Sequence, residues 1–139
     1  MNIVVIDGQG GRFGSMIVTA LKNTLPDYEV TAIGTNCIAT SSMLKAGADK
    51  GASGENPVIF NAEKADIIIG PIGIVIANAM LGEVTPKMAE AVGSSKACKI
   101  LLPTNSCNNI VAGTESLSLS ESVEIAVKNA KKIVNNSCK

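Results

Sequence analysis

Residues 3–14 read IVVIDGQGGRFG, and this stretch decides the fold. The run Ile3–Asp7 is almost wholly apolar, which predicts a strand that is buried on both faces. Apolar residues then recur at helical spacing, and Pro26 provides a stop, so we expect a helix over Gly11–Leu25. The glycine-rich turn Gly8–Gly14 joins the two. Because the first N–H groups of a helix lack partners and lie at the positive end of its dipole, such a turn predicts a phosphate site.

The remainder of the chain alternates strands and helices in the same way. Further strand patterns are found at Glu29–Gly34, Asp66–Ile69 and Lys99–Pro103. Helical patterns with capping residues are found at Cys37–Ala46, Ile74–Leu81, Pro86–Val92 and Leu119–Asn135. Less regular stretches are Gly47–Pro57, a loop with at most a short third strand, Val58–Phe60, a strand or a helical turn, and Ile110–Val111, a minor strand. The alternation predicts one α/β domain over residues 1–139, a three-layer Rossmann-like doubly wound parallel sheet of about five strands.

Composition agrees with this architecture and bounds the partners. Hydrophobic residues make up 46% of the chain and aromatic residues only 2%, as suits a core of aliphatic side chains around a parallel sheet. Twelve basic and twelve acidic residues cancel, and no basic run could neutralise a nucleic acid backbone, so we expect no nucleic acid partner. The low charge and apolar composition favour a homo-oligomer.

The cysteines and the chain start predict a cytoplasmic protein. No CxxC spacing and no histidine are present, so we expect reduced thiols and no metal site; the cysteines are Cys37, Cys98, Cys107 and Cys138. Met1 leads directly into a strand pattern without the features of a secretory signal. The longest apolar tract, Ile67–Leu81, is short and interrupted, and we therefore expect no membrane segment.

In a doubly wound sheet, a ligand binds beyond the carboxyl ends of the strands, where the strand order reverses, usually between the first and fourth strands. A second glycine turn, Gly70–Gly73, follows the predicted strand at Asp66–Ile69 and would form the opposite wall. Asn78 could reach in from the helix after it. The predicted cofactor-binding residues are Gly8, Gln9, Gly10, Gly11, Arg12, Phe13, Gly14, Thr35, Asn36, Gly70, Pro71, Ile72, Gly73, Thr104 and Asn105, with Ser106 at the same edge. Thr35 and Asn36 stand where an NAD site usually has an acid and an NADP site a base, so they discriminate neither dinucleotide.

Two resemblances bear on this site. Residues Ile3–Gly14 resemble the nucleotide loop of NADPH-using reductases of the dihydrodipicolinate reductase type, which implies that Gly8, Gly10, Gly11, Arg12, Phe13 and Gly14 surround a pyrophosphate. That family's histidine-containing catalytic segment has no counterpart here, so its activity is not implied. Over its whole length the chain is similar to a small uncharacterised bacterial family of Rossmann-like domains of unknown function. The matching stretches are 6–11, 34–36 and 70–78, and the likeness implies a stand-alone domain without assigning a chemistry.

Three functions fit these patterns. The first is binding of a nucleotide or dinucleotide, NAD(P), with possible redox chemistry supplied by the cofactor. The second is a non-enzymatic ligand sensor or oligomeric interaction module, and the third treats the glycines as turn geometry alone. Asp7 and Glu55 are candidate bases and Cys37 and Cys107 candidate nucleophiles, while the alternative for each is a structural role.

Overall fold

The computed structural model describes residues 1–105 and 108–137, which form alternating strands and helices. In chain order these are β1 Ile3–Asp7, α1 Arg12–Thr24, β2 Val30–Gly34, α2 Cys37–Lys45, β3 Lys50–Ser53, α3 Glu55–Lys64, β4 Ile67–Pro71, a short 3-10 helix Ile72–Val75, α4 Pro86–Ser94, β5 Cys98–Leu102 and α5 Leu119–Ser137.

The five strands form one parallel sheet in the order β3-β2-β1-β4-β5. The strand order reverses between β1 and β4, as the sequence predicts. These two strands pair from Ile3 opposite Ile67 to Val5 opposite Ile69, and the pairing stops there. A cleft beyond the carboxyl ends of β1 and β4 is therefore built into the topology.

Helices cover both faces of the sheet, which confirms the doubly wound three-layer class. One core cluster joins alternate residues of β1 and β4, such as Val5 and Ile69, to α1, α2 and α5. The other joins their neighbours, such as Ile6 and Ile68, to α3, α4 and the 3-10 helix. Because successive strand side chains point to opposite faces, the apolar runs supply both cores at once.

Two helix N-caps that the sequence predicts are formed in the structure. The Asn36 side chain accepts a hydrogen bond from the Ala39 N–H at 2.9 Å at the start of α2. The Thr85 hydroxyl accepts one from the Met88 N–H at 3.2 Å at the start of α4. Such bonds satisfy donors that have no partner within the helix, so the cap residues mark the helix starts.

The predicted helix Ile74–Leu81 is wrong. Only the 3-10 helix Ile72–Val75 forms there, and an irregular segment, residues 76–85, follows it. Asn78, Met80 and Leu81 have φ of 64°, 58° and 58°, which a right-handed helix cannot contain. The segment folds back on itself through hydrogen bonds from Asn78 N–H to the Val84 carbonyl at 2.7 Å and from Val84 N–H to the Ala79 carbonyl at 3.2 Å. The reversal buries Ala79 and Val84, while Leu81 stays exposed.

The less regular stretches are now defined. Gly47–Pro57 contains β3, the short third strand that the sequence allowed, together with the first three residues of α3, which were not expected. Val58–Phe60 takes the helical one of its two predicted alternatives. Gly54 separates β3 from α3 with a φ of 106°, a conformation that glycine adopts without strain, so the chain can turn directly from the strand into the helix. Ile110–Val111 forms no strand, since α5 instead packs over α1 after an irregular connection.

Candidate functional site

Two positions of the turn after β1, Gly11 and Gly14, require glycine. Gly11 precedes α1 with a φ of 74°, and a Cβ there would lie 2.9 Å from the backbone of Ala39 on α2. Gly14 lies inside α1, where a Cβ would collide with the buried side chain of Met43. Both glycines therefore serve close packing of the turn against α2, and Gly14 lies away from the cavity.

The Asp7 side chain stabilises this turn by accepting two backbone hydrogen bonds. Its Oδ1 accepts the Gly8 N–H at 2.8 Å and its Oδ2 accepts the Gly14 N–H at 2.7 Å, and the side chain is buried. Burial raises the pKa of Asp7 above its ordinary value of 3.8, and the nearby Glu83 carboxylate adds to this, while the bonds from Gly14 and Gly8 oppose it. The candidate base Asp7 thus has both oxygens engaged by backbone.

Three other N–H groups of the turn have no acceptor within the part of the chain that the structure describes. They belong to Gly10, Arg12 and Phe13. A Cβ built on Gly10 would meet nothing within 4 Å, so a bound group can approach this backbone closely. Arg12 is exposed and forms no ion pair with any described residue. These donors at a helix N-terminus, beside a guanidinium, are suited to an anion.

A cavity of about 510 Å³ opens at this turn. It lies at the carboxyl ends of β1, β4 and β5, where the strand order reverses. The described residues that line it are Asp7, Gly8, Gln9, Gly10, Gly11, Arg12, Phe13, Pro71, Gly73, Ile76, Ala79, Met80, Thr104, Asn105 and Asn109. Among them Arg12 is the only cation, and the volume is that of a typical small-molecule site.

Most of the predicted site residues meet around this cavity, but five do not. Gly70 is buried in β4, where a Cβ would overlap the Ile6 carbonyl oxygen, and Ile72 begins the 3-10 helix outside the lining. Gly14 packs on Met43 as described above. Thr35 and Asn36 also lie outside the lining, at the end of β2. Asn78, expected to reach in, is exposed in the segment 76–85, and Ser106 lies outside the described residues.

Glu83 is the residue that sequence reasoning missed. Its Oε1 accepts hydrogen bonds from the Thr35 hydroxyl at 2.7 Å, the Asn36 side-chain amide at 2.6 Å and the Gln9 N–H at 2.9 Å. Although desolvation raises the pKa of Glu83, these three bonds outweigh it and hold the pKa below its ordinary value of 4.5. An acid therefore stands at the end of β2 after all. The available signal was the neutral pair Thr35-Asn36, whose donors require an acceptor from elsewhere in the chain.

The described catalytic candidates Glu55 and Cys37 lie outside the cavity lining. Glu55 begins α3, and its Oε2 accepts the Thr85 hydroxyl at 2.6 Å, which ties α3 to the segment before α4. Cys37 and Cys98 are exposed free thiols, so Cys37 has no structural role in the core. The candidate nucleophile Cys107, like Cys138, lies outside the described residues.

Ranges 1–105 and 108–137 contain no cluster of three or more potential metal-binding side chains of His, Cys, Asp or Glu. None of the described helices has the length and apolar character needed to cross a bilayer.

Comparison with known proteins identifies the family. No curated protein and no solved structure matches the chain significantly. Residues 2–135, nearly the whole chain, match the sequence profile of a family described as a domain of unknown function, DUF3842. The glycine turn, the 3-10 helix and the segment with Glu83 all lie within this match, and the chain therefore belongs to the DUF3842 family.

Proposed function

We propose that this protein binds a nucleotide cofactor, NAD(P), with its pyrophosphate on the turn Gly8–Gly14. The carrying observation is that the N–H groups of Gly10, Arg12 and Phe13, which have no acceptor among residues 1–105 and 108–137, belong to residues lining one cavity at the switch point of the sheet. Phosphate oxygens accept hydrogen bonds from such groups, and the helix dipole and Arg12 add favourable electrostatics. The open space over Gly10 suits the close approach that a pyrophosphate needs.

The other walls suit the remainder of a dinucleotide. Pro71, Gly73 and Ile76 supply an apolar surface after β4, while Thr104 and Asn105 supply polar groups after β5. An aromatic ring can pack on the first surface while its polar substituents bond to the second. A bound nicotinamide would supply hydride transfer, and the protein's part is to hold and orient it. This division suits a chain whose Asp7 carboxylate is already engaged in supporting the turn.

A thermal-shift panel tests the proposal. Purified protein is heated with NADH, NADPH, NAD, NADP, FMN, ATP or S-adenosylmethionine. A ligand at 100 times its dissociation constant adds about 2.7 kcal/mol, which raises the midpoint by about 5 to 10 °C for a domain of this size. We expect a rise with a dinucleotide. A flat response to every NAD(P) form would refute the proposal.

Gly10→Ala sharpens the test because it separates binding from folding. The new methyl meets no atom of the described residues within 4 Å, so the free protein should keep its midpoint. The same methyl would occupy the space through which the pyrophosphate approaches Gly10, and the ligand-induced rise should disappear. Gly93→Ala is the matched control, because a Cβ there also meets nothing within 4 Å and Gly93 lies on α4. A Gly10→Ala protein with an undiminished rise would contradict binding at this turn.

A second candidate is a non-enzymatic ligand sensor with the same site. The segment 76–85 favours it, since Met80 and Leu81 hold left-handed conformations that cost about 1 to 2 kcal/mol per residue, and Met80 lines the cavity. A ligand that contacts Met80 can release this strain and move the exposed Leu81. Hydrogen exchange of residues 76–85 with and without ligand tests it. A ligand that leaves exchange there unchanged would count against a sensor.

Homo-oligomerisation, the cytoplasmic location and the absence of a nucleic acid partner stay predictions. Leu81 and Ile110 are the most exposed large apolar side chains described, at 91% and 80% of their full exposure. Exposed apolar groups of this kind are compatible with contact between copies. Sedimentation at several concentrations decides the oligomeric state.

A further inference from the structure

We propose that Glu83 is the specificity-determining residue that makes this site select NAD(H) over NADP(H), an inference that rests on the proposed function. In Rossmann-type sites, a carboxylate at the end of the second strand accepts hydrogen bonds from the adenosine ribose, and a base there accommodates a 2′-phosphate. The chain has neither at Thr35 and Asn36. The carboxylate instead comes from the segment 76–85, 48 residues beyond Thr35.

The position of Glu83 is held from three directions. Thr35 and Asn36 bring donors from the end of β2, and Gln9 brings its N–H from the glycine turn itself. All three bonds are made to Oε1. Glu83 therefore links the phosphate-binding turn to the end of β2. In a Rossmann-type site the adenosine ribose lies between these two elements.

The second carboxylate oxygen is available for a ligand. Oε2 of Glu83 accepts no hydrogen bond from any residue in the described ranges, and a carboxylate has acceptor capacity on both oxygens. The carboxylate lies next to Gly8, where a Cβ would come within 3.3 Å of Oε1. Gly8 lines the cavity and belongs to the phosphate-binding turn. Glu83 itself lies outside the cavity lining, beside Gly8 on the side of the end of β2. A ribose that continues from a pyrophosphate on this turn toward the end of β2 would meet Oε2, with its 2′-hydroxyl as the donor.

Electrostatics then reject a 2′-phosphate. Such a group would add up to two negative charges beside an ionised carboxylate, and like charges in contact at a binding site are strongly unfavourable. No described lysine or arginine forms an ion pair with Glu83 that could compensate. Arg12, the cation of the cavity, belongs to the start of α1, where the pyrophosphate would use it. Hydroxyl acceptance and phosphate repulsion both favour NAD(H).

The experiment is a pair of binding titrations, NADH and NADPH, on the full chain by ligand fluorescence. For the unmodified protein we expect a dissociation constant for NADH at least about tenfold lower than that for NADPH, which corresponds to about 1.4 kcal/mol. Glu83→Gln keeps an acceptor oxygen for Thr35, Asn36 and Gln9 but removes the charge. We expect it to bring the two constants within about threefold of each other, mainly through tighter NADPH binding.

Glu63→Gln is the matched control, because Glu63 is an exposed acid on α3 that forms none of the hydrogen bonds by which Glu83 contacts Gln9, Thr35 and Asn36, and the substitution changes the net charge identically. It should keep the ratio of the unmodified protein. A measurement that needs no variant supports the test if Glu83→Gln fails to fold. Raising the ionic strength should narrow the ratio in the unmodified protein, since salt screens the repulsion of a 2′-phosphate.

The outcomes separate the two proposals. If neither dinucleotide binds, the proposed function fails and this inference fails with it. If NADPH binds as tightly as NADH, or if the ratio survives both Glu83→Gln and added salt, cofactor binding stands and the role of Glu83 is refuted.

Discussion

Gly70→Ala probes the contact on which the position of the cleft depends. Gly70 follows the last residue of β4 that pairs with β1, and a Cβ built on it would point at the backbone of Ile6 on β1. An added Cβ would overlap the Ile6 carbonyl oxygen and lie 3.3 Å from the carbonyl carbon. The obstructing atoms are backbone in a central strand, so no rotamer change relieves the overlap. The two strands must separate, or β4 must shift.

The expected cost follows from overpacking of a buried site. Inserted methyl groups typically cost 1 to 3 kcal/mol, and an overlap with backbone falls at the upper end, so we expect a loss of about 3 kcal/mol in the free energy of unfolding. Unfolding entropy of about 2.1 cal/mol/K per residue gives about 0.3 kcal/mol/K for 139 residues. The thermal midpoint should therefore fall by about 10 °C.

Thermal unfolding followed by circular dichroism measures this effect, with Gly93→Ala as the control. Gly93 lies near the end of α4 with open space around it, so alanine there should raise stability by about 0.5 to 1 kcal/mol. The midpoint of the control should rise by about 2 to 3 °C. A Gly70→Ala protein whose midpoint stays within about 3 °C of the unmodified protein would refute the argument that backbone contact between β1 and β4 requires glycine.

Two further predictions concern the glycine turn and Glu83. Gly11→Ala should lower the free energy of unfolding by about 2 to 3 kcal/mol in urea titrations, because it forces a left-handed alanine against the Ala39 backbone. Gly10→Ala, the neighbouring change, should leave the free energy of unfolding within about 0.5 kcal/mol of that of the unmodified protein. Equal effects of the two substitutions would contradict the geometry of the turn. The folded-state pKa of Glu83 is lowered, so its ionised form contributes stability above pH 4.5 that is lost as the pH falls through the folded pKa. The stability advantage of the unmodified protein over Glu83→Gln should therefore shrink below pH 4.5 in urea titrations, and a constant difference would count against the hydrogen bonds to Oε1.

The parts of the fold that were predictable from sequence depend on local patterns. An apolar run such as Ile3–Asp7 identifies a buried strand, and cap residues such as Asn36 and Thr85 bond to N–H groups three residues away. The alternation of strands and helices then leaves few topologies, because connections between parallel strands are right-handed. The helix predicted over Ile74–Leu81 was wrong, because the apolar residues there are equally compatible with a helix and with a folded-back loop.

The candidate site also has a part that local sequence determines and a part that it does not. The sequence by itself determined the glycine turn after β1 and its place at the start of a helix, since both follow from residues adjacent in the chain. Only the tertiary structure decided that Glu83 reaches Thr35 and Asn36, across 48 and 47 residues of chain. That contact depends on the left-handed backbone of the segment 76–85 and on the strand order that sets β1 between β2 and β4. Local hydrogen bonds and hydrophobic periodicity depend on residues close together in the chain, whereas contacts between distant side chains depend on the packing of the whole sheet.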